Sequence, residues 1–283
     1  MGVILTAVKL IFFHFIPIAV AFMPTLISKS PDILPSISPT VAPSVAPPVI
    51  ASPITDSRLA YVQRQLIASG FQEAQVNQLL GDSRKELYPP QRVSYKEPNW
   101  TPVKDKLYSS AYVQQGKNFI SANQAVFESA QQEFDVPKEV ITAIIAIETE
   151  FGRNTGNTPT FNAVYSRLQQ RPTDNWRGEA ERLIALSKYC LQSDLNCYAI
   201  KGSYAGAIGI VQFMPDSLMR FGIDGDKDGI VDLHKPADAI PSAANFLKAH
   251  GWQEDQSRAI TRYYGNPVGY PEIVLHYASL ISK

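Results

Sequence analysis

Glu148 is an ionisable side chain set into the apolar stripe of a helix. Ile141, Ile144 and Ile145 stand seven, four and three residues before it, and Phe151 stands three after. Helical spacing puts all five on one face. A carboxylate there sheds water on folding. That disfavours its charged form and raises its pKa towards the range where it can donate a proton near neutral pH. Glu148 is therefore a candidate general acid; the competing reading is a helix-end carboxylate, half exposed or held in a structural ion pair. Glu150, two residues on, points about 200° around the helix and cannot form a close acid pair with it.

Three further segments carry chemistry. The run 201–215, Lys-Gly-Ser-Tyr-Ala-Gly-Ala-Ile-Gly-Ile-Val-Gln-Phe-Met-Pro, has glycines that permit close backbone approach to a ligand, with Ser203 and Gln212 as hydrogen-bonding groups. In the acidic run, Asp224, Asp226, Asp228, Gly229 and Asp232 match positions 1, 3, 5, 6 and 9 of an EF-hand calcium loop. Ile230 falls where such loops offer a backbone carbonyl, while the position of the closing glutamate is Lys235. Converging aspartates repel without a cation, so a bound Ca²⁺ of structural role is expected. The last segment is the aromatic tail Tyr263-Tyr264-Gly265-Asn266 with Tyr270. Aromatic faces suit sugar rings, although tyrosines beside a C-terminal helix also serve as packing.

The elements that must position these groups read as mainly α. Leu59, Val62, Leu66, Val76, Leu79 and Leu80 flank a Ser-Gly-Phe turn and predict a small helical hairpin. Residues 86–107 are punctuated by prolines and predict loop or short extended pieces. Helical patterns follow at 117–134, 137–151, 177–192, 214–221, 237–249 and 269–281, and no segment alternates as a strand does. Residues 58–283 therefore read as one catalytic region with an N-terminal helical lead-in.

The chain has 283 residues, 45% of them hydrophobic, enough for a full core in one or two domains. Basic and acidic residues both total 26 and no long basic run exists, which argues against a nucleic-acid partner. Residues 1–29 read as a signal peptide or a membrane anchor: 10–29 are apolar and almost uncharged, and Ala19-Val20-Ala21 has the form of a signal-peptidase site. No cysteine lies near it, which excludes lipid attachment of the usual bacterial kind. Residues 30–57, with proline every three or four positions, read as an extended, disordered spacer. The chain is thus expected to be exported to the cell envelope, anchored or secreted. In that setting Cys190 and Cys197 favour a local disulfide, with two buried thiols as the alternative.

Four motifs, in this order, give the chain its resemblance to the lytic murein transglycosylase B family. They are the Glu-Thr-x-Phe-Gly-Arg helix end, the Gly-Ser-Tyr-Ala-Gly-Ala-x-Gly-x-x-Gln-Phe-Met-Pro segment, the acidic loop, and the Asp-Ala-Ile-x-Ser-x-Ala-Asn-Phe run at 238–252 that closes on His-Gly-Trp. The resemblance runs from about residue 58 to the C-terminus. It implies a lysozyme-like transglycosylase fold and cleavage of peptidoglycan glycan strands between N-acetylmuramic acid and N-acetylglucosamine, with no cofactor in the chemistry. It also implies that Glu148 acts as acid and then as base on the muramic acid 6-hydroxyl, leaving a 1,6-anhydro ring. Ser203, Gln212, Tyr264 and Tyr270 fall on sugar-contacting positions of the family, and Arg171 on one of a basic pair that meets the peptide stem. Asp238 takes the place of the closing calcium ligand, extending the loop over 224–238. Two positions depart from the pattern: Phe246, where relatives often carry tyrosine, and Pro172, where the second basic residue would stand. Hydrolysis by a muramidase and wall binding without catalysis are the alternative functions.

Overall fold

The computed structural model describes residues 56–90, 99–172, 175–265 and 268–283. The apolar leader and most of the spacer lie outside the described residues. Asp56 and Ser57, read as the end of the spacer, instead open the first helix, because the Asp56 carboxylate accepts from the Arg58 and Leu59 amides as an N-cap.

Twelve helices and one minimal sheet make up the described residues. The lead-in is α1 (Ser57–Ala68) and α2 (Glu73–Leu80), the predicted hairpin. It is clamped to the rest by Arg58, whose guanidinium donates to the carbonyls of Leu168 and Arg171. The region read as loop holds a short helix, α3 (Thr101–Leu107), which starts with Pro102 in its first turn. The long helix expected over 117–134 is two, α4 (Ser110–Ala122) and α5 (Gln124–Phe134), divided at Asn123. There the Asn123 side chain donates to the Phe119 carbonyl instead of continuing the ladder.

The centre is α6 (Lys138–Thr149), with every residue from Val140 to Thr149 buried. A helix apolar on all sides must be enclosed, and α12 (Tyr270–Ile281), α4 and α5 all pack on it. It stops two residues earlier than the pattern predicts. Glu150 and Phe151 both adopt left-handed backbone (φ 54° and 61°), so Phe151 leaves the isoleucine stripe and packs on Tyr112 and Phe119 instead.

The remaining helices are α7 (Thr160–Gln170), α8 (Arg177–Gln192), α9 (Pro215–Phe221), α10 (Pro236–Ala249) and α11 (Gln256–Tyr264). Helices α7 and α11 were not read from the sequence; α11 carries only two buried aliphatic side chains, Ala259 and Ile260, too few for a clear stripe. Strands β1 (Thr158–Pro159) and β2 (Lys201–Gly202) pair antiparallel with Thr158 opposite Gly202, and they are the only sheet among the described residues. Cys190, in the last turn of α8, is disulfide-bonded to Cys197. No described helix is long and apolar enough to cross a membrane.

Candidate active site

The end of α6 is tied to the glycine-rich segment by one hydroxyl. Thr149 Oγ1 donates to the Ile210 carbonyl at 2.8 Å and accepts from the Gly152 amide at 3.0 Å. Ile210 in turn donates its amide to the Leu233 carbonyl at the far end of the acidic loop. That approach requires glycine at 209: its φ is +73° and a β-carbon there would strike the Leu233 backbone. Acidic loop, glycine-rich segment and Glu148 helix therefore form one connected frame.

Glu148 is 4% exposed. Its Oε1 accepts a hydrogen bond of 2.9 Å from the Tyr270 hydroxyl. Burial, and next to it the Glu148 charge, push the Tyr263, Tyr264 and Tyr270 phenols above their usual range. All three stay protonated, and Tyr263 and Tyr270 act as neutral donors. Tyr264 and Tyr270 face each other with ring centres 4.5 Å apart, and Trp100 closes against both. Tyr263 donates to the Val211 carbonyl, which brings α11 onto the glycine-rich segment. Glu150 is excluded from the site, though by its left-handed backbone and not by helical geometry: it pairs with Lys106 at 2.7 Å and with Arg153 at 3.7 Å.

Ser203 is half-buried in a tight turn, where its Oγ accepts from the Ala207 amide at 3.1 Å. Gln212 is buried with φ 51°, and its Nε2 donates to the carbonyls of Thr155 and Gly209. Its amide braces the turn before Phe213. Arg171 faces inward: with Arg167 and Arg182 it encloses the buried Glu179 carboxylate, at 2.7, 2.8 and 3.1 Å respectively. Burial pushes Glu179 up, but the charges of Arg167 and Arg182 and hydrogen bonds from Arg167 and Arg171 outweigh it and hold the carboxyl at about 2. Phe246 is buried, stacked on His250 and edge-on to Tyr263. Trp100, Thr149 and Tyr263 are the residues that sequence reading left without a part. Tyr263 carried a signal in its place in the aromatic tail and Thr149 in the Glu-Thr-x-Phe-Gly-Arg helix end; Trp100 carried none.

In the acidic loop, oxygens of Asp224, Asp226 and Asp238 lie within 4.8 Å of one another. Three carboxylates at that separation suit a hard divalent cation. Asp238 is buried and also organises the loop, accepting from the amides of Gly225 and Asp232. Asp228 stands apart from the trio and pairs at 2.5 Å with Lys235, which also reaches Asp226 at 3.3 Å. Ile230 donates its amide to Asp228, as the loop turn requires.

The family model described as the transglycosylase SLT domain matches residues 55–264. The chain belongs to this family, in its lytic murein transglycosylase B branch. Membrane-bound lytic murein transglycosylase B of Escherichia coli K12 is 31% identical over 214 residues, which cover 71% of this chain and 58% of the relative. The chain thus spans little more than half the length of that relative. Among solved structures, E. coli lytic transglycosylase Slt35 in complex with calcium superposes with a TM-score of 0.69 at 21% identity, covering 81% of this chain and 93% of its own. Soluble lytic transglycosylase SltB1 of Pseudomonas aeruginosa gives 0.68 at 24% identity, covering 80% and 98%. These likenesses establish the SLT transglycosylase fold, lysozyme-like and mainly α, for residues that include all four motifs.

Proposed function

We propose that the chain is a peptidoglycan lytic transglycosylase that uses Glu148 as its sole acid and base. The observation that carries this reading is a buried carboxyl held by a neutral phenol, with the adjacent acid, Glu150, turned away to Lys106 and Arg153. Glycosidases that use two carboxylates need a second one across the bond. A single acid suffices when the attacking group belongs to the substrate. Protonated Glu148 gives its proton to the glycosidic oxygen, and the bond from that oxygen to the muramic acid C1 breaks with its electron pair going to oxygen. The Glu148 carboxylate then takes the proton of the 6-hydroxyl as O6 bonds to C1. No water is consumed, the carboxyl returns to its starting state, and proximity within one sugar replaces a protein nucleophile. Ser203 orients the N-acetyl group beside the reacting carbon, Gln212 shapes the turn beneath it, Tyr264 walls the sugar cleft, and Tyr270, fully buried, holds Glu148 from behind instead of meeting the sugar.

Asp224, Asp226 and Asp238 would hold a Ca²⁺, joined by the Ile230 carbonyl and, once it turns from Lys235, by Asp228; the ion would supply charge neutralisation to the loop and no catalytic step. Export to the cell envelope accords with the apolar leader, with a disulfide in the folded part and with a wall substrate.

Digestion of purified sacculi tests the reading. A transglycosylase releases muropeptides one water lighter than those of a hydrolase, because the ring closes internally. Products carrying the added water would establish the muramidase reading instead, and no released product would leave only wall binding.

A further inference from the structure

Helix α12 begins with the residue that holds the acid, and it begins without a cap of its own. Tyr270 is its first residue, and the N-cap before it is Gly269, left-handed at φ 88° and with no side chain to satisfy the first amides. An uncapped end is where a helix frays. Yet this end must keep the Tyr270 hydroxyl on Glu148.

What holds it comes from another part of the chain. Trp100, at the start of α3, donates its indole Nε1 to the Val268 carbonyl at 2.8 Å, two residues before Tyr270. The same edge of the indole lies on Gly269, where an added β-carbon would stand 3.2 Å from Trp100 Cδ1. The ring then meets those of Tyr270 and Tyr264, with centres 6.0 and 5.9 Å away. One side chain therefore touches Val268, Gly269 and Tyr270 in succession. Trp100 is itself anchored: its carbonyl accepts the Lys104 amide at 2.9 Å as α3 opens, and α3 packs on α6, the helix that carries Glu148. Acid and donor are thus referred to the same helix. The Val268 bond lies at the surface, where that residue is 76% exposed, so water competes for it and it adds little to net stability. Its effect is on place. A displacement of about 1 Å at a group that serves the reaction costs far more rate than stability.

We propose that Trp100 is a positioning residue for the cleavage reaction, tethering the start of α12 so that the Tyr270 hydroxyl stays aimed at Glu148. The inference rests on the glycan-cleaving function above. Trp100→Phe keeps a ring against the two tyrosines and removes the Nε1 donor, and because Trp100 is only half-buried the fold should persist. On solubilised glycan the variant is expected to lower kcat about tenfold with KM unchanged. In a Tyr270→Phe background the same substitution should lower kcat by no more than about twofold, since the bond it positions is already gone. A sugar platform would raise KM, and a merely structural residue would lower kcat by the same factor in both backgrounds. Either result, or an unchanged kcat, overturns the proposal. A second arm needs no cleavage. The infrared carboxyl stretch of Glu148, assigned by its loss in Glu148→Gln, reports the hydrogen bond from Tyr270. In Trp100→Phe it should move towards the frequency it takes in Tyr270→Phe, and a band that keeps the parent frequency overturns the proposal. Should the parent release no product, the band still shows whether Trp100 holds the phenol, which separates failure of the tether from failure of the enzymatic reading.

Discussion

Tyr270 donates its phenolic hydrogen to Glu148 Oε1 over 2.9 Å, and both side chains are buried. The phenol lies on the first residue of α12 and the acid in the last turn of α6, so the bond joins the two helices that pack at the heart of the molecule. Burial and the Glu148 charge keep that phenol protonated, so it remains a donor throughout the working pH range. Tyr270→Phe keeps the ring and its packing and removes only the donor. It is expected to lower kcat on solubilised glycan roughly tenfold to a hundredfold, as loss of one preorganised hydrogen bond does, with circular dichroism unchanged.

Glu148→Gln is the sharper test of the acid. The amide oxygen can still accept from Tyr270, and the volume is the same, so the fold should persist. It holds no transferable proton, and release of muropeptides should vanish. Retention of near-parent turnover by a folded variant would remove Glu148 from the chemistry.

Glu179 gives the molecule an acid-sensitive joint. Its carboxyl stands near 2 when folded against an ordinary value of 4.5, so its contribution is fully present above about pH 4.5 and lost as pH falls towards 2. The shift corresponds to about 3 kcal/mol. Glu179→Gln leaves Arg167, Arg171 and Arg182 facing one another and should lower the thermal midpoint at pH 7 by roughly 10 °C. The variant should also show a shallower loss of stability between pH 4.5 and 2. An acid profile parallel to the parent's would mean that the three arginines do not hold this charge.

Much of this was legible in the chain because burial writes a period into the sequence. The α6 stripe, the boundaries of α8 and the aspartate spacing are each repeated patterns, and each maps onto one element. What was not legible depended on single residues or on distant partners. Asn123 breaks a helix whose apolar period runs on past it. Left-handed Glu150 and Phe151 are held by the segment they meet, and nothing in a helix-favouring run announces them. The inward turn of Arg171 depends on Glu179, which is eight residues further on and in the first turn of another helix. Trp100 reaches the site from a region whose prolines read as loop.

Calcium should act on stability before it acts on rate. Removing it with a chelator is expected to lower the thermal midpoint by several degrees, since the charges of Asp224, Asp226 and Asp238 then meet without a divalent partner. Lys235 partly offsets that repulsion through Asp226 and Asp228. Lys235→Gln should therefore widen the gap in midpoint between chelated and calcium-supplemented protein, by destabilising the first and removing a competitor from the second. Differential scanning fluorimetry with and without calcium reads this directly; an equal gap in both proteins would show that the lysine takes no part.

Thr149 tests whether the frame around the acid matters to the chemistry as well as to the fold. Its hydroxyl is 1% exposed and serves two backbone groups at once, as donor to Ile210 and acceptor from Gly152. Thr149→Val has nearly the same shape but leaves a buried carbonyl and an amide without that partner, a cost of about 2 kcal/mol. Stability loss alone would not lower kcat well below the melting transition. The Ile210 bond, however, is what fixes the glycine-rich segment to the residue beside Glu148, and slack there loosens the segment that carries Ser203 and Gln212. Thr149→Val is therefore expected to lose activity at 25 °C severalfold while still folded, and Thr149→Ser, which restores the hydroxyl, to recover most of it. Full activity in the valine variant would show that the frame is held by its other bonds, Ile210 to Leu233 and Tyr263 to Val211.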